Sequence, residues 1–459
     1  MPMIMRSLLA ATAALALAAP LAAQAVDPAK LRDAALKDDV AWDITEGLTT
    51  EIGPRLAGTE AEARARAWAV TKLKALGFRN VRIETYQMPT WVRGEEWAEV
   101  VSPFPQKLRL TALGNSGATP AEGLTGEIVY FATLADLQGV PDGSLTGKIA
   151  FVSHTMMATQ DGSSYGYFGA ARRTGPNVAA RKGAAAIVIR SMGTDYHRNP
   201  HAGGTNFTEG TTPIPAAALS IPDAEQLERM LKRRKPVTLK LVLTPRQVGI
   251  TESGNVIAEV PGTDPAAGIV LIGGHLDSWD LGTGAIDDAS GVAITTAAAK
   301  RIMDAGRPRR TIRVVWFGAE EVGGDGSKAY FAAHKHEKIV FVAESDFGAD
   351  RIWRMDSGFG PANAALADRV ASALFPLGIS RSTERATSGA DLGPWVRMGV
   401  AAVDLQQDGT RYFDLHHTPD DTLDKVDPEQ LRQNVAAWTA MLSVVANARE
   451  EIEKVAPAQ

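Results

Sequence analysis

Residues 269–277 read IVLIGGHLD, a continuous apolar run that ends in two glycines, a histidine and an aspartate. The apolar run predicts a strand that is buried on both faces, as in a parallel sheet covered by helices. His275 and Asp277 are two residues apart, so on an extended segment their side chains point to the same side. The stretch therefore predicts a buried strand with polar groups at its carboxyl end, which is where open α/β sheets bind ligands.

The pattern of strand and helix continues along the chain after residue 255. Apolar runs at 311–317, 339–342 and 400–405 predict further strands, and residues 292–302 predict a helix. Apolar strands separated by amphipathic helices indicate an α/β fold with a mostly parallel, twisted sheet that is sandwiched by helices.

Composition divides the chain into four segments. Residues 1–25 hold one charged residue, an Ala-rich apolar run and Ala23-Gln24-Ala25, which is the order of a secretory signal peptide cleaved before Val26. Residues 26–115 are expected to form the N-terminal part of the main domain, and residues 248–459 its larger C-terminal part. Residues 116–247 combine short β-rich runs with frequent glycine, which predicts a self-contained α/β insert.

The targeting signal limits where the protein can be located, and the net charge limits which partners it can bind. The apolar run of residues 8–21 is shorter than the roughly 20 residues that span a bilayer, so we expect an exported, periplasmic or secreted protein that is not held in the membrane after cleavage. The formal net charge of −5 gives no electrostatic footprint for nucleic acid. The chain has no cysteine, so its stability must come from core burial. The sequence does not determine an oligomeric state, and a homodimer stays open.

Acidic residues and histidines recur at the ends of the later predicted strands. They are Asp287, Asp288, Glu320, Glu321, Asp346, His416 and His417. Nitrogen and carboxylate ligands suit zinc, and two histidines with three carboxylates can hold two ions if one carboxylate bridges. Each element alone is weak, because an acidic pair is often a solvated face or a helix cap. Their order at successive strand ends indicates metal-assisted hydrolysis.

Residues 273–280 (GGHLDSWD) and 284–291 (GAIDDASG) resemble the co-catalytic dizinc exopeptidases, the family of bacterial aminopeptidases and glutamate carboxypeptidases. The likeness extends to residues 52–56, 319–321, 344–346 and 416–417, so it covers nearly all of the chain after residue 25. Within the family it is nearest to the plasma glutamate carboxypeptidase branch. The segment 116–247 resembles the protease-associated domain that this branch carries.

The resemblance implies a ligand set for two zinc ions. One ion would be bound by His275, Asp287 and Asp346, and the other by Asp287, Glu321 and His417, with Asp287 bridging. The resemblance also implies that the peptide bond between Asp287 and Asp288 is cis.

The same resemblance implies roles for the residues around the ligands. Glu320 would be the general base that takes a proton from a water held by both zinc ions and delivers it to the leaving amine. Asp277 would fix the tautomer of His275. His416, beside the metal pocket, is a candidate substrate or oxyanion contact. Asp391, in a pocket-forming loop, is a candidate substrate contact or a structural cap.

The expected function is the hydrolysis of short peptide substrates at one end. Which end stays open, because aminopeptidases, dipeptidases and carboxypeptidases of this family share the metal residues. A glutaminyl cyclase with one zinc on the same scaffold and a binding protein that has lost catalysis are the alternatives, and the complete ligand set argues against both. His197 and His201 are expected to be loop histidines, with a minority expectation that their loop reaches over the active site.

Overall fold

A computed structural model describes residues 27–455, so the predicted signal peptide lies outside the described residues. No helix within this range is long and apolar enough to cross a membrane. The strands are β1 Arg79–Val92, β2 Glu96–Ser102, β3 Gln106–Leu108, β4 Leu110–Ala112, β5 Leu124–Phe131, β6 Lys148–Val152, β7 Ala186–Arg190, β8 Ala216–Leu219, β9 Thr238–Leu243, β10 Arg246–Val260, β11 Ile269–His275, β12 Thr311–Phe317, β13 Ile339–Glu344, β14 Ile352–Ser357, β15 Ser380–Arg381 and β16 Ala401–Gln407.

The helices alternate with these strands along most of the chain. They are α1 Pro28–Ala35, α2 Val40–Gly47, α3 Glu60–Ala75, α4 Leu134–Gly139, α5 Ser163–Phe168, α6 Ala170–Arg173, α7 Gly175–Arg181, α8 Ile221–Leu231, α9 Ser290–Ala305, α10 Asp325–His334, α11 Ala364–Leu374, α12 Gly389–Arg397, α13 Tyr412–Leu415 and α14 Pro428–Val445. Local chemistry sets several helix starts: the Thr59 hydroxyl caps α3, and Asp427 caps α14 just before a proline at its first position.

The first sheet has the order β1-β10-β12-β11-β13-β16-β14-β15. Its four central strands, from β12 to β16, run parallel, as the sequence predicts. The flanks add antiparallel pairs, namely β1 with β10, β10 with β12 and β14 with β16, so the sheet as a whole is mixed. The chain is therefore α/β with a parallel centre and antiparallel edges.

Helices cover both faces of this sheet because successive side chains of a strand point to opposite sides. On β11, Val270 and Ile272 pack with α9 and α14 in one core, while Leu271 packs with residues of α10 and α12 in another. Residues of α1, α2 and α3 also belong to the first core. The predicted sandwich of helices around a buried sheet is confirmed.

The second sheet has the order β3-β2-β9-β5-β6-β7-β8-β4. Its strands β5 to β8 run parallel, and the remaining pairs are antiparallel. It includes β2, β3 and β4, which precede residue 116, as well as strands from the predicted insert. The chain enters this sheet after β1 and leaves it before β10, and these two long strands pair with each other in the first sheet.

Candidate metal centre

The register of the central strands brings the predicted residues to one edge of the first sheet. His275 pairs with Phe317 of β12, and Gly273 pairs with Glu344 of β13, so β11, β12 and β13 end at the same level. Glu320 follows β12 and Asp346 follows β13, and both therefore lie beside the end of β11. The turn at 285–289 and the loop after α13 complete the cluster with Asp287, His416 and His417.

One group forms around His275, which is fully buried at the end of β11. Its Nε2 lies 2.9 Å from Asp287 Oδ1 and 3.4 Å from Asp346 Oδ1. Its Nδ1 lies 2.9 Å from the carbonyl oxygen of Asp277, which can only accept, so Nδ1 carries the ring proton. The Nε2 lone pair of the neutral ring then faces the two carboxylates.

A second group forms around His417 on the other side of Asp287. His417 Nε2 lies 3.1 Å from Asp287 Oδ2 and 2.9 Å from Glu321 Oε2. The two oxygens of Asp287 thus face two different histidines, each of which has a further carboxylate of its own. This is the arrangement expected of a bridging ligand.

The donor set fits zinc in number, chemistry and spacing. Ligand atoms about 2.0–2.2 Å from a tetrahedral zinc lie about 3.3 Å from one another, and the four contacts above span 2.9–3.4 Å. Asp287 Oδ2 is buried and accepts no hydrogen bond. A buried carboxylate oxygen in that condition is costly unless a cation compensates it.

The raised pKa values of His275 and His417 indicate that the cluster favours positive charge at these two rings. Burial lowers the pKa of His275, but Asp346, Asp277 and Asp287 outweigh it and raise the pKa well above its usual range. His417 behaves alike: burial opposes the charged ring, and Glu321 with Asp287 raises its pKa well above the usual range. The negative charge that favours protonation of these two histidines would also favour a bound metal cation.

Glu320 carries a carboxyl whose ionisation is strongly disfavoured. Burial, followed by the charge of Asp346, raises the pKa of Glu320 well above its usual range. The carboxylate of Asp277 accepts hydrogen bonds from the backbone N–H of Glu320 at 3.2 Å and of Glu321 at 3.4 Å. Asp277 therefore contacts His275 through its carbonyl, while its side chain holds the backbone that carries both glutamates.

The Asp288 carboxylate accepts backbone hydrogen bonds at the same edge of the first sheet. Its Oδ2 accepts a hydrogen bond from the N–H of His275 at 3.0 Å, and its Oδ1 accepts one from Gly291 at 3.0 Å. A Cβ atom on Gly274 or Gly291 would collide with this carboxylate, which explains the two glycines in the motif. The peptide bond between Asp287 and Asp288 is cis, as the resemblance implies.

The loop around His201 reaches the centre from the second-sheet segment. His201 is buried, its Nδ1 donates to the carbonyl of Ala202 at 2.6 Å, and its Nε2 lies 2.9 Å from His416 Nδ1. Because His201 Nε2 must accept, His416 Nδ1 donates and the His416 Nε2 lone pair faces Asp287, 3.4 Å from Oδ2. Burial lowers the pKa of both rings well below the usual range, which keeps them neutral. His197 instead lies beside the carbonyl of Asp414, outside this group.

Asp391 lies next to the centre, at the start of α12, and is almost fully buried. Its backbone N–H donates to Glu344, whereas neither of its carboxylate oxygens has a hydrogen-bond partner. Burial, then Glu344 and Glu320, raises its pKa well above the usual range. Asp391 is not among the residues that line the cavity described next.

A cavity of about 370 Å³ opens above the cluster. The segments that follow β11, β12 and β13 line it with Asp287, Glu320, Glu321 and Asp346, and the loop after α13 adds His416 and His417. The opposite wall comes from the second-sheet segment and includes Tyr165, Arg172, Arg173 and Asn206. The cavity is large enough for a peptide of a few residues and lies directly on the candidate metal ligands.

Comparison with known proteins agrees with this geometry. The family model of peptidase family M28 matches residues 255–442. Carboxypeptidase Q of Bos taurus is 34% identical over 411 residues, which cover 89% of this chain and 85% of that protein. The chain belongs to peptidase family M28. As a member of M28 it is a metallo-exopeptidase, a hydrolase that acts on peptide bonds.

Two further M28 relatives support the assignment. A crystal structure of a peptidase M28 precursor from Shewanella amazonensis is 47% identical and superimposes with a TM-score of 0.92, covering 94% of this chain and 98% of that chain. An aminopeptidase of Bacillus subtilis is 25% identical, covering 88% of this chain and 83% of that protein. The predicted family and the predicted α/β peptidase fold are confirmed.

Two arginines contact the centre although no sequence motif assigned them a role, namely Arg55 and Arg172. Arg55 is fully buried and donates to the carbonyls of Leu276 at 2.5 Å, Thr283 at 2.7 Å and Gly284 at 2.9 Å. It therefore ties the loop after His275 to the turn that carries Asp287. Arg55 lies in the motif of residues 52–56, and a charged residue between a glycine turn and an Ala-rich helix was the available signal. Arg172, far away in sequence, gave no such signal.

Proposed function

We propose that this M28 peptidase hydrolyses short peptides at one end with two zinc ions bound in the cluster. His275, Asp287 and Asp346 would hold one ion, and Asp287, Glu321 and His417 would hold the other. The observation that carries the proposal is the position of Asp287, whose two oxygens face His275 and His417 separately. When bound, the two ions would polarise the scissile carbonyl and make water a better nucleophile.

Glu320 would act as the general base and then as the general acid. It lines the cavity beside the candidate metal ligands, where its carboxylate could accept the proton of the attacking water. The same carboxyl can then protonate the leaving amine, which completes the transfer of one proton from water to product. Asp277 would be a positioning residue, because its carboxylate holds the backbone of Glu320 and Glu321.

His416 would contact the substrate from the side of His417. Its Nδ1 proton is directed to His201, so the lone pair is on Nε2, which lies 3.4 Å from Asp287 Oδ2 in the lining of the cavity. This tautomer favours acceptance of a hydrogen bond from a substrate N–H over donation to an oxyanion. Asp391 would not contact the substrate directly, since it lies against Glu344 and does not line the cavity.

We also propose the organisation and export that the sequence predicts. Residues 1–25 would be a signal peptide that directs the chain out of the cytoplasm. Residues 26–115 and 248–459 would form the peptidase domain, and residues 116–247 a protease-associated insert. The contacts of His201 and Arg172 with His416 and His417 support a role of this insert in the active site.

Two neighbouring glutamates allow a sharp test of the mechanism. Glu320→Gln should retain two zinc ions per chain and lower kcat on a dipeptide by roughly a hundredfold or more. Glu321→Gln should lose one of the two ions, as should the more severe Asp287→Ala, which removes the bridge. Plasma emission spectrometry of the purified proteins measures the metal, and amino-acid release measures turnover.

The outcomes separate the two roles. Near wild-type turnover by Glu320→Gln would rule out Glu320 as the base. A stoichiometry of one zinc per wild-type chain, together with cyclisation of an N-terminal glutamine, would instead favour the glutaminyl cyclase alternative.

A further inference from the structure

Positively charged side chains surround one edge of the second sheet. Strand β3 is the outermost strand at this edge and pairs with β2. Helix α8 lies beside β3, because the side-chain amide of Gln226 donates a hydrogen bond to the side chain of Gln106 at 3.2 Å. Seven cationic residues on or next to β3, α8 and β9 form a surface that we call the basic edge, namely Lys107, Arg109, Lys232, Arg233, Arg234, Lys235 and Lys240.

The charge of the basic edge is not neutralised by neighbouring carboxylates. None of its seven residues forms an ion pair within residues 27–455. Glu225 of α8 binds Arg190 instead, at 2.9 Å. Glu99 of β2 pairs in register with Lys107 on one side and Lys240 on the other, but it forms no ion pair with either. The chain as a whole has a formal net charge of −5, so this excess of positive charge is local.

Two aromatic rings lie among these cations. Lys240 Nζ lies 5.6 Å from the centroid of the Trp97 ring, and Lys235 Nζ lies 5.8 Å from that of Phe104. Both aromatic residues are partly exposed. A cavity of about 560 Å³ opens beside Trp97 and is also lined by Arg109. Partly exposed aromatic rings next to cations are typical of protein surfaces that contact the layer between water and lipid tails.

The cations of the basic edge are not held in a fixed pattern. All but Lys240 are exposed, and within the described part of the chain no hydrogen bond fixes any of their charged groups. Recognition of a single rigid anion needs donors that packing and hydrogen bonds hold in place. Mobile cations suit a partner whose negative charges can rearrange, and the phosphates of a fluid lipid layer do so. The fixed carboxylates of a folded acidic protein fit such a surface less well.

Contact through the basic edge leaves the catalytic cavity free. The second-sheet wall of the cavity comes from α5, α6 and the loops at 115 and 204–206. Ala171 of α6 shares a core with Ala150 of β6, whereas Leu227 of α8 shares a core with Ile149. Because neighbouring residues of a strand point to opposite faces, α6 and α8 cover opposite faces of the second sheet. A flat partner at the end of α8 and at β3 therefore does not cover the wall of the cavity.

We propose that the basic edge binds an anionic phospholipid surface and holds the protein reversibly against a membrane. The contact is peripheral, because it is made with the phosphates of the headgroups and needs no inserted segment. The attraction of each Lys or Arg adds to that of the others and acts within a Debye length of about 8 Å at physiological ionic strength. The metal cluster takes no part in this contact, so the inference is independent of the proposed function.

Sedimentation with vesicles tests the proposal on the chain that remains after cleavage before Val26. Vesicles of about 30% phosphatidylglycerol in phosphatidylcholine should bind the protein at least about tenfold more tightly than vesicles of phosphatidylcholine alone, and about 0.5 M NaCl should remove the difference. A fourfold variant of the run after α8 should bind the anionic vesicles roughly ten- to a hundredfold more weakly and keep its circular dichroism and melting temperature. This variant combines Lys232→Gln, Arg233→Gln, Arg234→Gln and Lys235→Gln.

The matched control removes the same four positive charges from α1, α3 and their ends. These residues are also exposed and also form no ion pair within residues 27–455. The control combines Lys30→Gln, Lys37→Gln, Arg64→Gln and Lys74→Gln. It should bind the anionic vesicles like the wild type, because it has the same net charge as the first variant but keeps the basic edge. Lys107→Gln with Arg109→Gln, at β3 itself, should weaken binding by a smaller factor of roughly three to ten.

Equal binding by the two fourfold variants would overturn the proposal, as would equal binding of the wild type to anionic and neutral vesicles. Soluble competitors distinguish the other possible partners. Tight binding of poly-L-glutamate without binding to anionic vesicles would assign the basic edge to an acidic protein. Displacement from the vesicles by glycerol 3-phosphate, at the same concentration as the lipid phosphate, would assign it to a single free phosphate. Either result would refute a membrane contact.

Discussion

Replacement of Arg55 by methionine tests how the centre is held in place. The guanidinium is buried between the loop that follows His275 and the turn that carries Asp287, and it donates to three carbonyls at 2.5–2.9 Å. Burial lowers the pKa of Arg55, and the charges of Asp421 and Asp277 oppose that shift. Methionine fills similar space but leaves the carbonyls without donors and Asp421 without its nearby cation.

The expected loss of folding stability in Arg55→Met follows from those contacts. Three hydrogen bonds from a charged donor contribute about 1.5–3 kcal/mol each, and the buried guanidinium costs several kcal/mol in lost hydration. The difference agrees with the about 3–5 kcal/mol that is lost when one partner of a buried charged network is removed. Because the loop and the turn hold His275 and Asp287, zinc affinity should also fall about 10–100-fold.

Arg310 is the matched control, since it is also fully buried and donates to carbonyls, those of Ala267, Val445, Ala448 and Glu450. Arg310→Met should therefore lose comparable stability and keep its zinc affinity. Urea unfolding followed by circular dichroism gives the stability, and competition with a zinc-binding dye gives the affinity. Stability of Arg55→Met within 1 kcal/mol of wild type, or equal zinc affinity in the two variants, would refute the role assigned to Arg55.

Two further predictions concern metal and pH. Removal of zinc with a chelator should lower the melting temperature measured by calorimetry, and zinc at a thousand times its Kd should restore about 4 kcal/mol of unfolding free energy. Asp287→Ala should show no such shift. Identical melting with and without chelator would contradict a bound metal. Burial, opposed by Arg66, raises the pKa of Glu62 from 4.5 to about 7, so the folded state holds this proton more tightly than the unfolded state. The contribution of the protonated carboxyl to stability is therefore complete below pH 4.5 and is lost as the pH rises through 7. Relative to Glu62→Gln, the wild type should therefore lose about 3 kcal/mol of unfolding free energy between pH 4.5 and pH 8, and parallel pH profiles of the two proteins would count against it.

The first sheet and its polar edge were predictable because their signals are local. A buried strand is a short apolar run, and the residue after its carboxyl end is known as soon as the strand is found. His275, Glu320 and Asp346 each follow such a run, so parallel pairing alone brings them together. The antiparallel edges were not predictable in this way, since β1 and β10 lie far apart in sequence and no local signal shows that they pair.

The opposite wall of the site could not be located from spacing. His201 and Arg172 contact His416 and His417 across more than two hundred residues, and no periodicity in the chain relates them. The contact of Asp277 illustrates a finer limit. Its residue type suggested a carboxylate beside His275, but the closest atom is its carbonyl oxygen, because a two-residue spacing also lets the main chain reach the ring.

A wall supplied by a separate sheet can take part in catalysis only if its position is fixed. The long strands β1 and β10 provide that fixation, because they pair over most of their length in the first sheet and lead directly into β2 and out of β9. At the point of departure, Arg93 makes a two-pronged contact with Asp280 at 2.8 and 2.9 Å and also binds Glu96 of β2. Asp280 lies three residues beyond Asp277, so the same loop that holds the backbone of Glu320 and Glu321 also anchors the second sheet. The second-sheet segment that carries Arg172 is thus fixed beside His417 by paired backbone and by a two-pronged ion pair.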